Sequence, residues 1–268
     1  MGRKMRKLFI IENGSDLARE TADRMTALLG EGYEVSREDP SGADMVLVFG
    51  GDGAFLHGLE SWGFPEAPIL GINTGHLGFF QELLPEDIEL FKQFCSGKGF
   101  TLQTYRLLKA QVYSTKGEQT VLAINDFTIR DRGAKVARLC VTIDDKLVER
   151  FFGDGFIVAS CAGSTAYSYS LGGCIVDPRL ESIQLTPMAP INSKALRSFT
   201  SSMMFPPTSS LTIEPMEGSS LDLGVYADGM DIDPGEIIKV KFSLSEKRIH
   251  VVRKQDYDFW GKVESKFL

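Results

Sequence analysis

The chain has 268 residues, 43% hydrophobic and 24% charged, the balance of an ordinary globular protein, which excludes disorder, collagen and coiled coil as whole-chain readings. Its net charge of -7, from 29 basic and 36 acidic residues, argues against nucleic acid or an anionic membrane as partner, though a local basic phosphate pocket remains possible. Four cysteines without a C-x-x-C pair and three histidines argue against a structural zinc site.

The basic start MGRKMRKLFII has an apolar run only from Leu8 to Ile11, too short for a signal-peptide core. No stretch nears 18 apolar residues, so a cytoplasmic protein with reduced thiols is expected. Leu8 to Ile11 reads as a first strand. Asn13-Gly14-Ser15 breaks it and offers an N-cap to a helix with Leu17, Thr21, Met25, Leu28 and Leu29 on one face, stopped by Gly30. Tyr33 to Arg37 reads as an exposed strand, and Pro40-Ser41-Gly42 as a turn. Met45 to Phe49 is a fully apolar strand running into Gly50-Gly51-Asp52-Gly53, with a helix from Ala54 to Glu60. Ile69 to Ile72 is a second buried strand. Pro85 opens a helix with Ile88, Phe91, Phe94 and Cys95 inward, closed by Gly97. Strands alternating with helices predict a parallel, doubly wound sheet.

From about Phe100 the pattern turns to antiparallel β. Leu107 to Tyr113, Val121 to Arg130, Leu139 to Ile143, Phe156 to Ala159, Leu211 to Glu214, Leu221 to Tyr226, Ile237 to Leu244 and Arg248 to Val252 read as strands. Asp144-Asp145 joins Val141-Thr142-Ile143 to Lys146-Leu147-Val148 as a hairpin, and Asp233-Pro234-Gly235-Glu236 is a turn. Phe259, Val263 and Phe267 lie at i, i+4 and i+8, a C-terminal amphipathic helix that docks on structure already built. The fold class expected is an α/β N-terminal domain with a parallel sheet plus a C-terminal all-β, sandwich-like domain. The boundaries are 1–100 for the nucleotide-binding domain, with 253–268 packing back on it, and 101–252 for the β-rich domain.

Three strings carry chemistry. In Gly50-Gly51-Asp52-Gly53 the glycines let backbone approach a ligand, and backbone N–H groups with the following helix N-terminus favour anions. A carboxylate there does not attract phosphate. It can take a proton from an attacking hydroxyl or hold Mg²⁺ that bridges phosphates; the plainer alternative is a helix N-cap. The strand-end position is where open α/β sheets bind ligands. The Rossmann fingerprint and Walker A pattern are absent, which weakens dehydrogenase and P-loop readings. The second string is Gly71-Ile72-Asn73-Thr74-Gly75-His76-Leu77-Gly78-Phe79. It is either a second wall of one crevice or a structural loop with Leu77 and Phe79 in the core, His76 being a satisfied loop histidine rather than a base. The third is Gly153-Asp154-Gly155-Phe156 with Gly163-Ser164-Thr165-Ala166-Tyr167, where small hydroxyl residues offer hydrogen bonds to a base or ribose and Tyr167 an aromatic face. A β-bulge and a helix cap would account for the same residues. Cys161, beside this string, is read as a buried, inert thiol.

Together, and in this order, the three strings resemble the NAD kinase family, over about Met45 to Val252. The resemblance implies transfer of the ATP γ-phosphoryl group to the adenosine 2′-hydroxyl of NAD, with Mg²⁺ and without assigned metal ligands. It implies an α/β domain, a β-rich domain and a returning C-terminal segment. The short length is similar to the bacterial form, a homodimer or homotetramer. Asp52 is implied as catalytic base or hydroxyl-orienting carboxylate. Gly53 is implied beside the NAD pyrophosphate, and Phe79 near the adenine. Asn125 and Asp126 stand at the family's Asn-Glu position against ribose and adenine. Asp154 and Ser170 are implied at the nicotinamide end, and Thr165, Ala166 and Tyr167 in the adenosine pocket. Ala162 stands where the family commonly has a hydroxyl toward adenine. Ala189 is implied at the nicotinamide amide, and Asp228 in a further Asp-Gly turn. ATP or polyphosphate is the donor. The alternatives are a lipid kinase sharing the Gly-Gly-Asp-Gly string and a non-catalytic NAD(H)-binding regulator. The strings around Asn73 and Tyr167 oppose the first, and retention of Asp52 opposes the second.

Overall fold

A computed structural model describes residues 5–75, 78–133, 135–219 and 222–268. His76, Leu77, Leu221 and the first four residues of the chain lie outside them. In chain order the elements begin with β1 (Arg6–Glu12), α1 (Asp16–Ala27), β2 (Tyr33–Ser36), β3 (Met45–Phe49), α2 (Asp52–Ser61), β4 (Ile69–Ile72), β5 (Gln81–Leu83) and α3 (Ile88–Cys95). There follow β6 (Phe100–Ser114), β7 (Gly117–Ala123), β8 (Asp126–Asp131), β9 (Ala137–Ile143), β10 (Lys146–Gly153), β11 (Gly155–Ser160), a 3₁₀ turn (Ala162–Thr165) and α4 (Tyr167–Ser170). The chain closes with β12 (Ile183–Met188), β13 (Met203–Phe205), β14 (Leu211–Pro215), β15 (Leu223–Ala227), β16 (Met230–Asp231), β17 (Ile237–Lys254) and α5 (Phe259–Phe267). Two compact units result, Met1–Thr104 with Arg248–Leu268, and Tyr105–Lys247.

The first unit is built on the parallel order β2-β1-β3-β4, extended by the end of β17, where Val251 pairs with Ile69. β3 is buried at every position, as a central parallel strand covered on both faces must be. On one face Leu8, Ile10, Leu47 and Phe49 share a cluster with Ala18, Ala22 and Met25 of α1 and with Phe91 and Phe94 of α3. α1 is capped by Ser15, whose hydroxyl accepts from the Ala18 N–H. Its buried face is the expected one at Thr21 and Met25, with Leu29 packed against the same cluster, but not at Leu17 and Leu28. Ala18, Thr21, Ala22 and Met25 point inward, while Leu17 and Leu28 are exposed: small residues let the helix lie close to the sheet, and the leucines fall just past the edge of that stripe. α3 begins at Ile88 rather than Pro85.

The second unit is a sandwich of two sheets with a single core. One sheet has the order β10-β9-β14-β17, with β6 on β17 and β7 on β6; the other runs β13-β12-β11-β8-β15-β16 and is antiparallel throughout. Phe151 meets Phe156 at 4.2 Å between ring centroids, and Phe127 meets Phe242 at 5.5 Å, each pair joining the two sheets. The Asp144-Asp145 hairpin is as expected, with both residues at positive φ, the twist-matched two-residue turn. Val121 to Arg130 is not one strand. It divides into β7 and β8, which belong to different sheets, with a break at Ile124-Asn125. Conversely, Ile237 to Leu244 and Arg248 to Val252 form the one strand β17.

Candidate active site

Each unit presents its own cluster of sequence-predicted residues. In the first, Asp52 is the opening residue of α2, where the apolar strand β3 ends. It is not the N-cap: Gly51 holds that position, without a side-chain cap bond. The Asp52 carboxylate instead crosses to the second Gly-rich string. Oδ2 accepts from the Phe79 N–H at 2.9 Å, and Oδ1 from the Phe80 N–H at 3.0 Å. Gly78 makes this approach possible, since a Cβ there would run into the Asp52 carboxylate and the Gln81 amide oxygen. Each carboxylate oxygen keeps further lone-pair capacity after one such bond, so Asp52 is fixed in orientation and still able to accept a proton.

The Phe79 ring is half-buried, 6.3 Å from Phe259 and 5.9 Å from Phe267 of α5. Phe80 is the core residue, stacked on Phe55 at 4.5 Å. Buried Asn73 turns its side-chain oxygen to the Gly75 N–H. Gln81 is 1% exposed, yet both of its amide atoms lack a partner among the described residues, so a polar group stands unsatisfied next to Asp52. A cavity of about 570 Å³ opens at Gly53 and Ala54, bordered by Asn13, Arg19, Arg37 and His57.

In the second unit Asp228 organises the cluster. Its carboxylate accepts the N–H groups of Ile124, Asn125 and Asp126 at 2.8, 2.8 and 3.1 Å, and its own N–H donates to the Asp126 carbonyl. This grip fixes the backbone where the chain breaks between β7 and β8. The Asn125 side-chain oxygen is buried without a partner among the described residues. Burial, reinforced by the Asp228 carboxylate, pushes the Asp126 carboxyl up to about 7. The following turn packs tightly on this segment. Ser160 donates to the Ile124 carbonyl and accepts from Ala162 N–H, and a Cβ on Gly163 would run into the Asn125 carbonyl. Thr165 and Ala166 stand half-buried at its end, and Tyr167 is 44% exposed, too open for a core residue. Ser170 is also exposed. Asp154 donates its N–H to the Met188 carbonyl, and its exposed carboxylate caps no amide among the described residues. Ala189, next in sequence to Met188, adopts a φ of +42°. The Cys161 thiol is buried and pushed up to about 11, chiefly by that burial, consistent with an inert cysteine.

Three residues of the first cluster escaped sequence reasoning: Phe80, which acts through its backbone N–H, Gln81, and Lys262, whose ammonium donates to the Phe79 and Gln81 carbonyls. The aromatic spacing of α5 pointed to its docking face, but nothing in the pattern marks the lysine within it.

A carboxylate held at the tip of a parallel strand, Gly-rich backbone around it and a cavity at Gly53 lined by Arg19, Arg37 and Glu12 together suit a nucleotide-dependent phosphotransferase. The comparisons narrow the class. Residues 11–96 match the ATP-NAD kinase N-terminal domain and residues 124–253 the ATP-NAD kinase C-terminal domain. The chain is 35% identical over 246 residues to an NAD kinase of Finegoldia magna, covering 89% of each chain. It is 31% identical over 266 residues to NAD kinase 1 of Listeria monocytogenes, covering 98% of this chain and 99% of the other. Among solved structures, an NAD kinase from Archaeoglobus fulgidus in complex with ATP superposes with a TM-score of 0.73 at 25% identity, over 97% of this chain and 99% of that one. Yeast NADH kinase complexed with NADH shares the fold, with a TM-score of 0.83 at 22% identity over 98% and 87%. The chain belongs to the ATP-NAD kinase family, and its activity is that family's phosphorylation of NAD by ATP.

Proposed function

We propose that Asp52 is the group on which this phosphorylation turns, taking the proton of the adenosine 2′-hydroxyl as that oxygen bonds to the γ-phosphorus of ATP and the bond from that phosphorus to the β,γ-bridging oxygen breaks, releasing ADP. The observation that carries this reading is the double anchorage of its carboxylate by the Phe79 and Phe80 N–H groups. An anchored base loses no orientation at the moment of reaction. Gly53 leaves backbone open to the pyrophosphate, and the half-buried Phe79 ring lies near the adenine. The cavity at the start of α2, about 570 Å³, offers space to the donor triphosphate, whose oxygens would compete with Glu12 for Arg19 and Arg37 in its lining.

The β-rich unit takes up the dinucleotide. Asn125 and Asp126 meet ribose and adenine, and the orphaned Asn125 oxygen gains an amino donor there. With its carboxyl raised to about 7, Asp126 is in part protonated at neutral pH and donates a hydrogen bond. Ala162, Thr165 and Ala166 shape the adenosine pocket, and the exposed Tyr167 face stacks on a base. Asp154, Ser170 and Ala189 form the nicotinamide end, with Asp228 as the clamp behind Asn125. Among the described residues no cluster of three or more His, Cys, Asp or Glu side chains is arranged to hold a metal ion. A magnesium ion brought with the nucleotide would be held chiefly by phosphate oxygens and would supply charge neutralisation at the transferring group.

We place the reaction in the cytoplasm of the cell, in a homodimer or homotetramer; no helix among the described residues is long and apolar enough to cross a membrane. A coupled assay of NADP formation tests the reading, with ATP or polyphosphate as donor and NAD or NADH as acceptor. ATP- and Mg²⁺-dependent NADP formation is expected, and NAD binding without turnover contradicts it.

A further inference from the structure

We propose that Lys262 of α5 is a positioning residue for Asp52, holding from behind the segment whose N–H groups hold the carboxylate. The inference rests on the assignment of Asp52 as the proton acceptor. Its links are continuous and short. Asp52 accepts from the N–H of Phe79 and of Phe80. The carbonyls of Phe79 and Gln81 in turn accept from the Lys262 ammonium at 3.1 and 2.6 Å. The Phe79 carbonyl and the Phe80 N–H belong to one peptide group, so the cation fixes the direction of that N–H toward Asp52, and its second bond, to the Gln81 carbonyl, ties down the residue that follows. The same helix grips the string a second time, since the Phe79 ring lies near Phe259 and Phe267 and beneath the Lys266 ammonium at 5.4 Å.

A lysine that served only to join α5 to the body of the unit would find water or an exposed carboxylate sufficient. Lys262 instead ends on carbonyl oxygens in a largely dry setting, an arrangement that costs desolvation. Burial, with Arg253 beside it, lowers its ammonium to about 8, against the opposing pull of Glu82 and Asp52. The charged groups facing it are Asp52 from α2, Glu82 from β5, Arg253 from β17 and Lys266 of its own helix, and the Tyr257 ring lies 5.6 Å away. Lys262 is therefore charged below about pH 8 and loses its charge above it. The neutral amine donates more weakly to the two carbonyls, and the anchorage of Asp52 loosens as pH rises.

Kinetics of the full-length wild type, Lys262→Met, Lys262→Arg and Asp52→Asn, with saturating ATP and Mg²⁺, test this. Lys262→Met is expected to lower kcat about 10- to 100-fold, the range a misplacement near 1 Å can produce, with the NAD dissociation constant within about threefold of wild type. Lys262→Arg, which keeps the charge and can span both carbonyls, is expected to restore kcat to within about threefold. Wild-type kcat should fall as pH rises through about 8, while that of Lys262→Arg stays level. Wild-type kcat in Lys262→Met, or an arginine variant that folds yet is as slow as the methionine one, overturns the proposal. If Lys262→Met does not fold, the pH profiles decide: superimposable profiles for wild type and Lys262→Arg overturn it. The Asp52→Asn arm separates the two levels, because full turnover in that variant removes the Asp52 assignment itself, whereas a slow Asp52→Asn beside a fast Lys262→Met removes only the role of Lys262.

Discussion

Two aspartates, each followed by glycine, do opposite work in the two units. Asp52 is held by backbone, its oxygens taking one N–H each from Phe79 and Phe80. Asp228 holds backbone, its carboxylate gathering the N–H groups of three consecutive residues, 124–126. On the reading proposed above, the first arrangement leaves a carboxylate poised for a reacting hydroxyl, and the second spends the carboxylate on architecture, leaving Asn125 and Asp126 to meet the ligand. The same dipeptide would then be a reagent in one unit and a clamp in the other, told apart by the partners of its carboxylate.

Substitutions that separate chemistry from scaffold can break this contrast. The largest effect is expected for Asp52→Asn, which exchanges a base for a near-isosteric amide; kcat should fall about 10²–10⁴-fold, the usual cost of losing a general base, with a stability loss of about 1–3 kcal/mol because the amide oxygen accepts only one of the two N–H groups. Asp228→Ala should do the reverse. Losing a charged acceptor shared by three amides is expected to cost about 3 kcal/mol of stability, read by urea denaturation, and to weaken NAD binding before it slows the chemical step. An Asp228→Ala protein as stable as wild type, with kcat alone reduced, would make Asp228 a reagent too.

A smaller effect belongs to Tyr167, whose exposure suits a stacking face. Tyr167→Ala should weaken NAD binding by about 1–3 kcal/mol, judged from base–aromatic stacking elsewhere, with little change in kcat. An unchanged dissociation constant would make the ring a bystander.

The last effect concerns Asp126 and is read as a slope against pH rather than from one substitution at one pH. Its carboxyl is raised to about 7 from an ordinary 3.8, so the folded protein keeps a proton that the unfolded chain releases. Stability should therefore decline as pH rises from about 4 to 7, by about 1.4 kcal/mol per pH unit at most. Asp126→Asn should flatten that part of the profile. Denaturation midpoints across this range check it, and parallel slopes for variant and wild type would contradict the raised carboxyl.

How much of this was legible in the sequence follows from how local each cause is. The strands β1, β3 and β4 announce themselves, because both faces of a central parallel strand are buried and the chain must be apolar throughout. The α5 helix and its docking face were visible in Phe259, Val263 and Phe267. The division of Val121 to Arg130 was not, since the backbone at the break, Ile124-Asn125, is fixed by Asp228, about a hundred residues later. β12 went unread for a different reason: Gln184, Thr186 and Pro187 interrupt its apolar pattern, although all six residues are buried. The motif residues were readable as types. That Asp52 is anchored from the second string rather than capping its own helix required the fold, as did Lys262, whose contacts are to backbone carbonyls that no side-chain pattern records.

In the proposed mechanism Asp52 serves the chemical step and not the binding of NAD. Calorimetric titration of NAD into Asp52→Asn, alongside NADP formation by the same preparation, tests it most directly. The account predicts a dissociation constant within about threefold of wild type together with a 10²–10⁴-fold slower reaction. NADP formation at the wild-type rate, or a loss of NAD affinity large enough to explain the slower reaction, would contradict it.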